Sequence, residues 1–273
     1  MLGFGFADFL AKAILVKANA LQTVFISQVI GSILYIGLTL VYDLATPDRS
    51  LLFLSAVSGC LSAIVLFAFY KALSLGKASV VSPLTSCLTV VAVVLSLFVL
   101  SERLTIIQIF IIASVFLGTL LTAFERRDTR SGSSNLSILF VLVVVFLGGG
   151  NTILQKWVAE SGHYLLGFTL SRLSMLGLLA CLIPFIGSTQ PLPRPSGMYK
   201  KMALLGLIDV SAFFAWFMGL REGFVAIVTP IALSSSAVTI ILAHIFLNER
   251  VLFHQRLGIG IIILGVALLS AIS

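Results

Sequence analysis

A chain of 273 residues with 59% hydrophobic and 10% charged side chains and a mean hydropathy of +1.17 falls far below the about 25% charged residues of an ordinary soluble domain. So much apolar surface cannot be hidden from water, which excludes a soluble globular protein and leaves one membrane-embedded unit. The formal charge of +7 does not signal a nucleic-acid partner, because Lys and Arg stand singly or in twos between apolar runs, as membrane-flanking charges do.

Only helices and closed barrels satisfy their backbone groups in lipid, and a helix needs about 20 apolar residues to cross about 30 Å of hydrocarbon. The chain is therefore expected to be an all-α integral membrane protein, with transmembrane helices at 2–18, 21–42, 51–73, 78–100, 104–124, 136–158, 163–186, 200–221, 224–247 and 251–272, ten in all. The first carries Asp8, Lys12 and Lys17, and it is read as an uncleaved span because apolar sequence begins at Leu2 without a preceding basic stretch. Turn signals punctuate the gaps: Thr46-Pro47-Asp48, Ser101-Glu102-Arg103, the polar run Glu125 to Asn135, Pro191 to Pro195, and Asn248-Glu249-Arg250. Cys60, Cys87 and Cys181 all fall inside apolar segments, without metal-like spacing, so neither a disulfide framework nor a zinc site is expected. No cofactor is expected.

Shifting the sequence by 147 residues aligns Gly59–Ala123 with Gly206–Ser270 without a gap and with 17 identities in 65 pairs. Gly59 meets Gly206, Gly76 meets Gly223, Pro83 meets Pro230, Glu102-Arg103 meets Glu249-Arg250, Gln108 meets Gln255 and Gly118 meets Gly265. Shared apolar composition would match Leu, Ile and Val, but not a proline, an acid-base pair, a glutamine and three glycines in register. A looser match at a shift of 144 pairs Lys12 with Lys156 and Ser27 with Ser171. The chain thus divides into a five-helix repeat over 1–124, a polar linker over 125–135 and a second five-helix repeat over 136–273. Five is odd, so the second copy enters the membrane from the opposite side. Two inverted repeats rocking about a site near the bilayer midplane are the construction of many transporters.

Lys12, Lys156 and Arg172 lie within spans. Of the remaining basic residues, eleven follow odd-numbered spans and three, Arg49, Arg103 and Arg221, lie on the opposite face. The positive-inside rule then places both termini outside the cytoplasm.

The fourth span holds Ser82-Pro83 followed by Thr85, Ser86 and Thr89, and the ninth holds Thr229-Pro230 followed by Ser234, Ser235, Ser236 and Thr239. Ser82 corresponds to Thr229 and Thr89 to Ser236. A proline frees a helical carbonyl, tolerated at membrane depth where hydroxyls, water or solute take over. Pro83 and Pro230 are therefore expected to kink related helices facing one cavity, although small hydroxyl residues also serve plain helix contacts. Asp209, in the eighth span near Trp216, is an intramembrane carboxylate, whose default reading is functional: it binds a cationic group or a coupling proton, or else partners Lys12, Lys156 or Arg172. Arg172 has the fork for a carboxylate or phosphate. Asp8 and Lys12, four residues apart, are read as a local ion pair. Lys156, with Asn151 and Gln155, forms the polar counterpart in the second half, with its ammonium expected to snorkel to the interface. Phe67, Phe69 and Tyr70 align with Phe214, Trp216 and Phe217, as cavity lining or as packing.

With these features the chain resembles a known family. Gly-Phe-Ala-Asp-Phe-Leu-Ala-Lys at 5–12, the paired Gly76-x6-Pro83 and Gly223-x6-Pro230 stretches, and the Glu-Arg turns at 102–103 and 249–250 are similar to the duplicated EamA domain of the drug/metabolite transporter superfamily, over nearly the whole chain. The resemblance implies ten helices and transport of a small-molecule solute across the lipid bilayer of the cell membrane, often export of amino acids, metabolites or drugs. It also implies cytoplasmic termini, opposite to the loop charges, and it carries no universal motif, so the candidate solute-binding residues Asp209, Trp216, Ser82, Thr89, Thr229, Ser236, Arg172, Lys12 and Lys156 rest on polarity and burial. A membrane-embedded enzyme or assembly factor is the rival reading. His163, His244 and His254 lack ligand spacing, and neither a phosphate-cradling loop nor a helical His-Glu-x-x-His occurs. Without a nucleotide site, movement is expected to draw on the solute gradient or on a coupling proton or ion.

Overall fold

The computed structural model describes residues 1–43, 46–123, 135–186, 196–247 and 251–272. The first repeat comprises α1 (Leu2–Leu15), α2 (Ala20–Tyr42), α3 (Arg49–Leu75), α4 (Ala78–Thr85), α5 (Leu88–Val99) and α6 (Ile106–Ala123). The second comprises α7 (Asn135–Ala159), α8 (Tyr164–Ile186), α9 (Ser196–Glu222), α10 (Val225–Leu233), α11 (Ser235–Leu247) and α12 (Phe253–Ala271). Eight segments are long and apolar enough to cross a membrane, α4 with α5 and α10 with α11 each making one crossing, and Ile106–Thr122 is a shorter apolar helix. The protein is an all-α membrane protein of two repeats. α1 has 14 residues and so rises only about 21 Å at about 1.5 Å per residue, ending before the boundary expected at residue 18. The backbone turns at Asn19, whose side chain accepts from Leu21 N–H at 2.8 Å and opens α2.

The fourth and ninth crossings, expected as single kinked helices, are broken. Pro83 and Pro230 lie inside α4 and α10, which stop at Thr85 and Leu233 before α5 and α11 begin. Each proline lacks the N–H for the preceding turn and its ring crowds that turn's carbonyl. Hydroxyls satisfy the disturbed backbone: Ser86 Oγ reaches Ser82 O at 2.9 Å and Leu233 O at 3.0 Å, and Ser234 Oγ donates to Pro230 O at 2.6 Å. Ser86 thereby joins the break of one repeat to that of the other.

The helix contacts come in pairs related by the internal duplication. α3 packs on α7 and α8 while α9 packs on α1 and α2; α5 meets α7 and α10, while α11 meets α1 and α4; α2 faces α8 and α6 faces α12. Each repeat therefore buries its helices largely against the other, and the apolar core, with Leu73, Met175 and Leu205 among its fully enclosed members, belongs to both. At the two closest crossings a Cβ on Gly59 would run into the Ser171 carbonyl, and one on Gly206 into the Ser27 carbonyl. These backbones touch only because no side chain intervenes.

Polar groups at helix ends follow the same logic. Lys12 Nζ donates to Leu73 O at 2.8 Å and Gly76 O at 2.6 Å, closing the C-terminus of α3. Its equivalent Lys156 donates to Leu220 O at 2.6 Å and Gly223 O at 3.0 Å, closing α9, and pairs with Glu160 at 2.9 Å. A cation at a helix C-terminus complements both the free carbonyls and the dipole. Glu102 does the converse, accepting from Val225 N–H at 2.7 Å and Ala226 N–H at 3.0 Å at the N-terminus of α10. Outside the membrane, Asp48 caps α3, and the Leu51 N–H, with the Ser50 hydroxyl, holds its carboxyl below the ordinary carboxylate value. The linker up to residue 134, the proline turn at 191–195 and Asn248-Glu249-Arg250 lie outside the described residues.

Candidate functional site

A cavity of about 150 Å³ lies between the repeats, with walls from α1, α3, α4, α7, α8 and α9 and a contribution from each broken crossing. Its most charged corner is a chain of three side chains. Arg172 Nη1 donates to Gln28 Oε1 at 2.5 Å, and Gln28 Nε2 donates to Asp209 Oδ2 at 2.7 Å. The orientation of the Gln28 amide is dictated chemically, since a guanidinium only donates and a carboxylate only accepts. Arg172 and Asp209 are 5% and 4% exposed, a depth at which an unbalanced charge would cost several kcal/mol. The guanidinium also sits over two rings, 4.9 Å from the Phe168 centroid and 4.6 Å from that of Phe213, gaining cation–π stabilisation. Gln28 on α2 and Arg172 on α8 occupy equivalent places in the two repeats.

Across the cavity stands an amide cluster. Ser62 Oγ accepts from Asn151 Nδ2 at 2.9 Å and Gln155 Nε2 at 3.2 Å. The opposite ends of both amides, Asn151 Oδ1 and Gln155 Oε1, are buried without a protein partner, as is the Trp216 indole N–H. Buried polar atoms are nearly always satisfied, and all three side chains line the cavity, so these atoms are available to water or solute. A second carboxyl, Asp8, also lines it and accepts from Ser82 Oγ at 2.9 Å and Thr239 Oγ1 at 3.4 Å.

Of the residues expected from sequence, Asp209, Arg172, Trp216 and Ser82 stand in the cavity wall. Thr229 and Ser236 are buried outside that wall with hydroxyls that lack partners, and Thr89 lies beyond the α4 break. Lys12 and Lys156 close helix ends instead of facing the cavity. Lys156 is 7% exposed, so it does not snorkel: the carbonyls of Leu220 and Gly223 hold its ammonium inside. Asp209 meets Arg172 through Gln28. The polar contacts of Asp8 and Lys12 run to different helices, which replaces the local ion pair expected from their spacing. Among the aromatics, Phe69, Tyr70, Trp216 and Phe217 line the cavity, whereas Phe67 packs on Phe140 and Phe214 on Tyr35. Gln28, Ser62 and Asp8 were not singled out for the site, although the repeat alignment that pairs Lys12 with Lys156 also pairs Gln28 with Arg172.

Comparison with known proteins fits this fold. A solved crystal structure, 14% identical, superposes with a TM-score of 0.72 over 98% of this chain and 99% of its own, and so shares the fold. An uncharacterised protein of Methanocaldococcus jannaschii is 32% identical over 133 residues, which is 49% of this chain but 94% of that protein. A relative about one repeat long is what duplication of a smaller unit would leave. The model of the EamA-like transporter family matches twice, over residues 1–124 and 135–271, and the chain belongs to the EamA-like transporter family.

Proposed function

We propose that the protein is a secondary transporter of the cell membrane that carries a small polar solute, an amino acid or a related zwitterion, by exposing the central cavity to each side in turn. Export is the direction that the family resemblance implies. The observation that carries this reading is the distribution of polar groups around one cavity, with the Asn151 and Gln155 carbonyls and the Trp216 N–H unsatisfied. Arg172 and the Trp216 N–H offer donors for a carboxylate, while the Asn151 and Gln155 carbonyls offer acceptors for an ammonium group. Gln28 already holds Arg172, so an incoming carboxylate competes with an existing hydrogen bond, which favours a charged oxygen over a neutral one. Asp209 then keeps the guanidinium oriented and Ser82 contributes a wall hydroxyl. The interdigitated, duplicated repeats suit rocking about a shared site.

The test is uptake into proteoliposomes of labelled amino acids, sugars and nucleotides, with and without a pH gradient. Saturable uptake of an amino-acid class is expected, falling about tenfold or more in Asp209→Asn, because a hydrogen bond to a charged group is worth about 1.5–3 kcal/mol. Uptake of no solute under any condition would overturn the transport reading. Unchanged uptake in folded Asp209→Asn would remove Asp209 from the site.

A further inference from the structure

The cavity holds two carboxyl groups in different circumstances. Asp209 is tied through Gln28 to a guanidinium. Among the described residues, Asp8 has hydroxyl partners alone, Ser82 on α4 of the first repeat and Thr239 on α11 of the second. The ionisable groups around Asp8 do not supply the missing cation. Lys12, one turn along α1, gives its ammonium to the Leu73 and Gly76 carbonyls. From α3 the cavity receives the Tyr70 phenol and from α9 the Asp209 carboxyl, with Arg172 of α8 beyond it; no ionisable side chain of α2, α4 or α11 lines it. A lone carboxylate among hydroxyls in a low-dielectric interior is expensive, and binding a proton removes that expense.

We propose that the Asp8 carboxyl, held between the Ser82 and Thr239 hydroxyls in the cavity wall, takes up and releases a proton in each cycle and so couples proton movement to the rocking of the two repeats. Uptake forms one O–H bond and release breaks it, with water in the cavity as donor and acceptor and no redox partner. The hydroxyls make the change mechanical. An ionised Asp8 accepts from both, drawing α4 and α11 onto α1. Both hydroxyls reach the same oxygen, Oδ2, and a neutral acid is the weaker acceptor, so the longer Thr239 contact gives way to Ser235 O of its own helix at 3.2 Å and leaves Gly5 O at 3.4 Å as the remaining bond of that hydroxyl to α1. Protonation therefore loosens the contact between a helix of one repeat and a helix of the other beside the Pro83 break. The device sits in one half only, since Thr152 occupies the place equivalent to Asp8 in the second repeat.

Coupling rests on the transport reading, but proton exchange at Asp8 does not, and infrared difference spectroscopy of the liposome-reconstituted protein without solute tests it. On stepping the pH, wild type should show a carboxylic-acid carbonyl stretch that disappears as the pH rises. The band should persist in Asp209→Asn, vanish in Asp8→Asn and reappear at a shifted frequency in Asp8→Glu, which keeps the carboxyl and guards against a folding defect. A band that survives Asp8→Asn, is absent in wild type, or disappears when sodium is added at constant pH would overturn the proposal. With a solute from the uptake panel, Asp8→Asn should lose all acceleration by an imposed pH gradient, and full acceleration would likewise overturn it. A titrating Asp8 band in a protein that moves no solute would leave the proton site standing while the transport reading falls.

Discussion

Lysine inside a membrane helix invites a solute-binding role, and Lys12 and Lys156 show how the same residue at equivalent positions does something else. Each folds its chain back so that the ammonium meets two carbonyls at the end of a neighbouring helix, Leu73 and Gly76 in one repeat and Leu220 and Gly223 in the other. Those carbonyls are buried orphans without it. Replacing Lys156 with Met should therefore lower stability by about 1.5–3 kcal/mol, read as a lower melting temperature in detergent, with the KM for solute unchanged. A raised KM at unchanged stability would restore the lysine to the site. Arg172 is the contrasting case, a buried cation that lines the cavity with its two aromatic partners, Phe168 and Phe213, and is tied through Gln28 to Asp209.

At the scale of the element, the broken crossings carry the design. Pro83 and Pro230 were legible as disturbances, and each interrupts its crossing just past the proline, where a seryl hydroxyl adds a second bond to a carbonyl that keeps its backbone partner. The second device is Glu102, whose Glu-Arg turn was legible only as a repeated motif. Its two oxygens take the first two amides of α10, where a negative charge also meets the helix dipole. Glu102→Ala should free those amides, costing roughly 1–2 kcal/mol, and hydrogen exchange at Val225 and Ala226 should accelerate. Unchanged protection there would show that α10 starts without the clamp. A side chain's target is not written in its own turn.

For the whole molecule, orientation is the property that loop charge alone addresses. The excess of basic residues after odd-numbered crossings predicts an extracytoplasmic C-terminus, opposite to what family resemblance implies. A C-terminal reporter active only in the cytoplasm should therefore be silent, and activity would reverse the assignment.

Hydropathy, turn signals and self-similarity are local or register properties, so the sequence by itself determined the apolar helices and their duplication in two repeats. It also marked Asp209, Arg172 and Trp216, because polar groups in apolar helices stand out without any knowledge of their neighbours. The tertiary structure alone decided what each polar group meets. Arg172 reaches Gln28 across 144 residues and Gln28 reaches Asp209 across 181, and separations of that size leave no periodic trace. Asp8 shows the reason most plainly: four residues from Lys12 on one helix, it is expected to pair locally, yet the ammonium gains more by closing a helix end. That choice is made by the packing of α1 against α3 within the first repeat, and among the described residues it leaves the cavity carboxyl with hydroxyls to hold it.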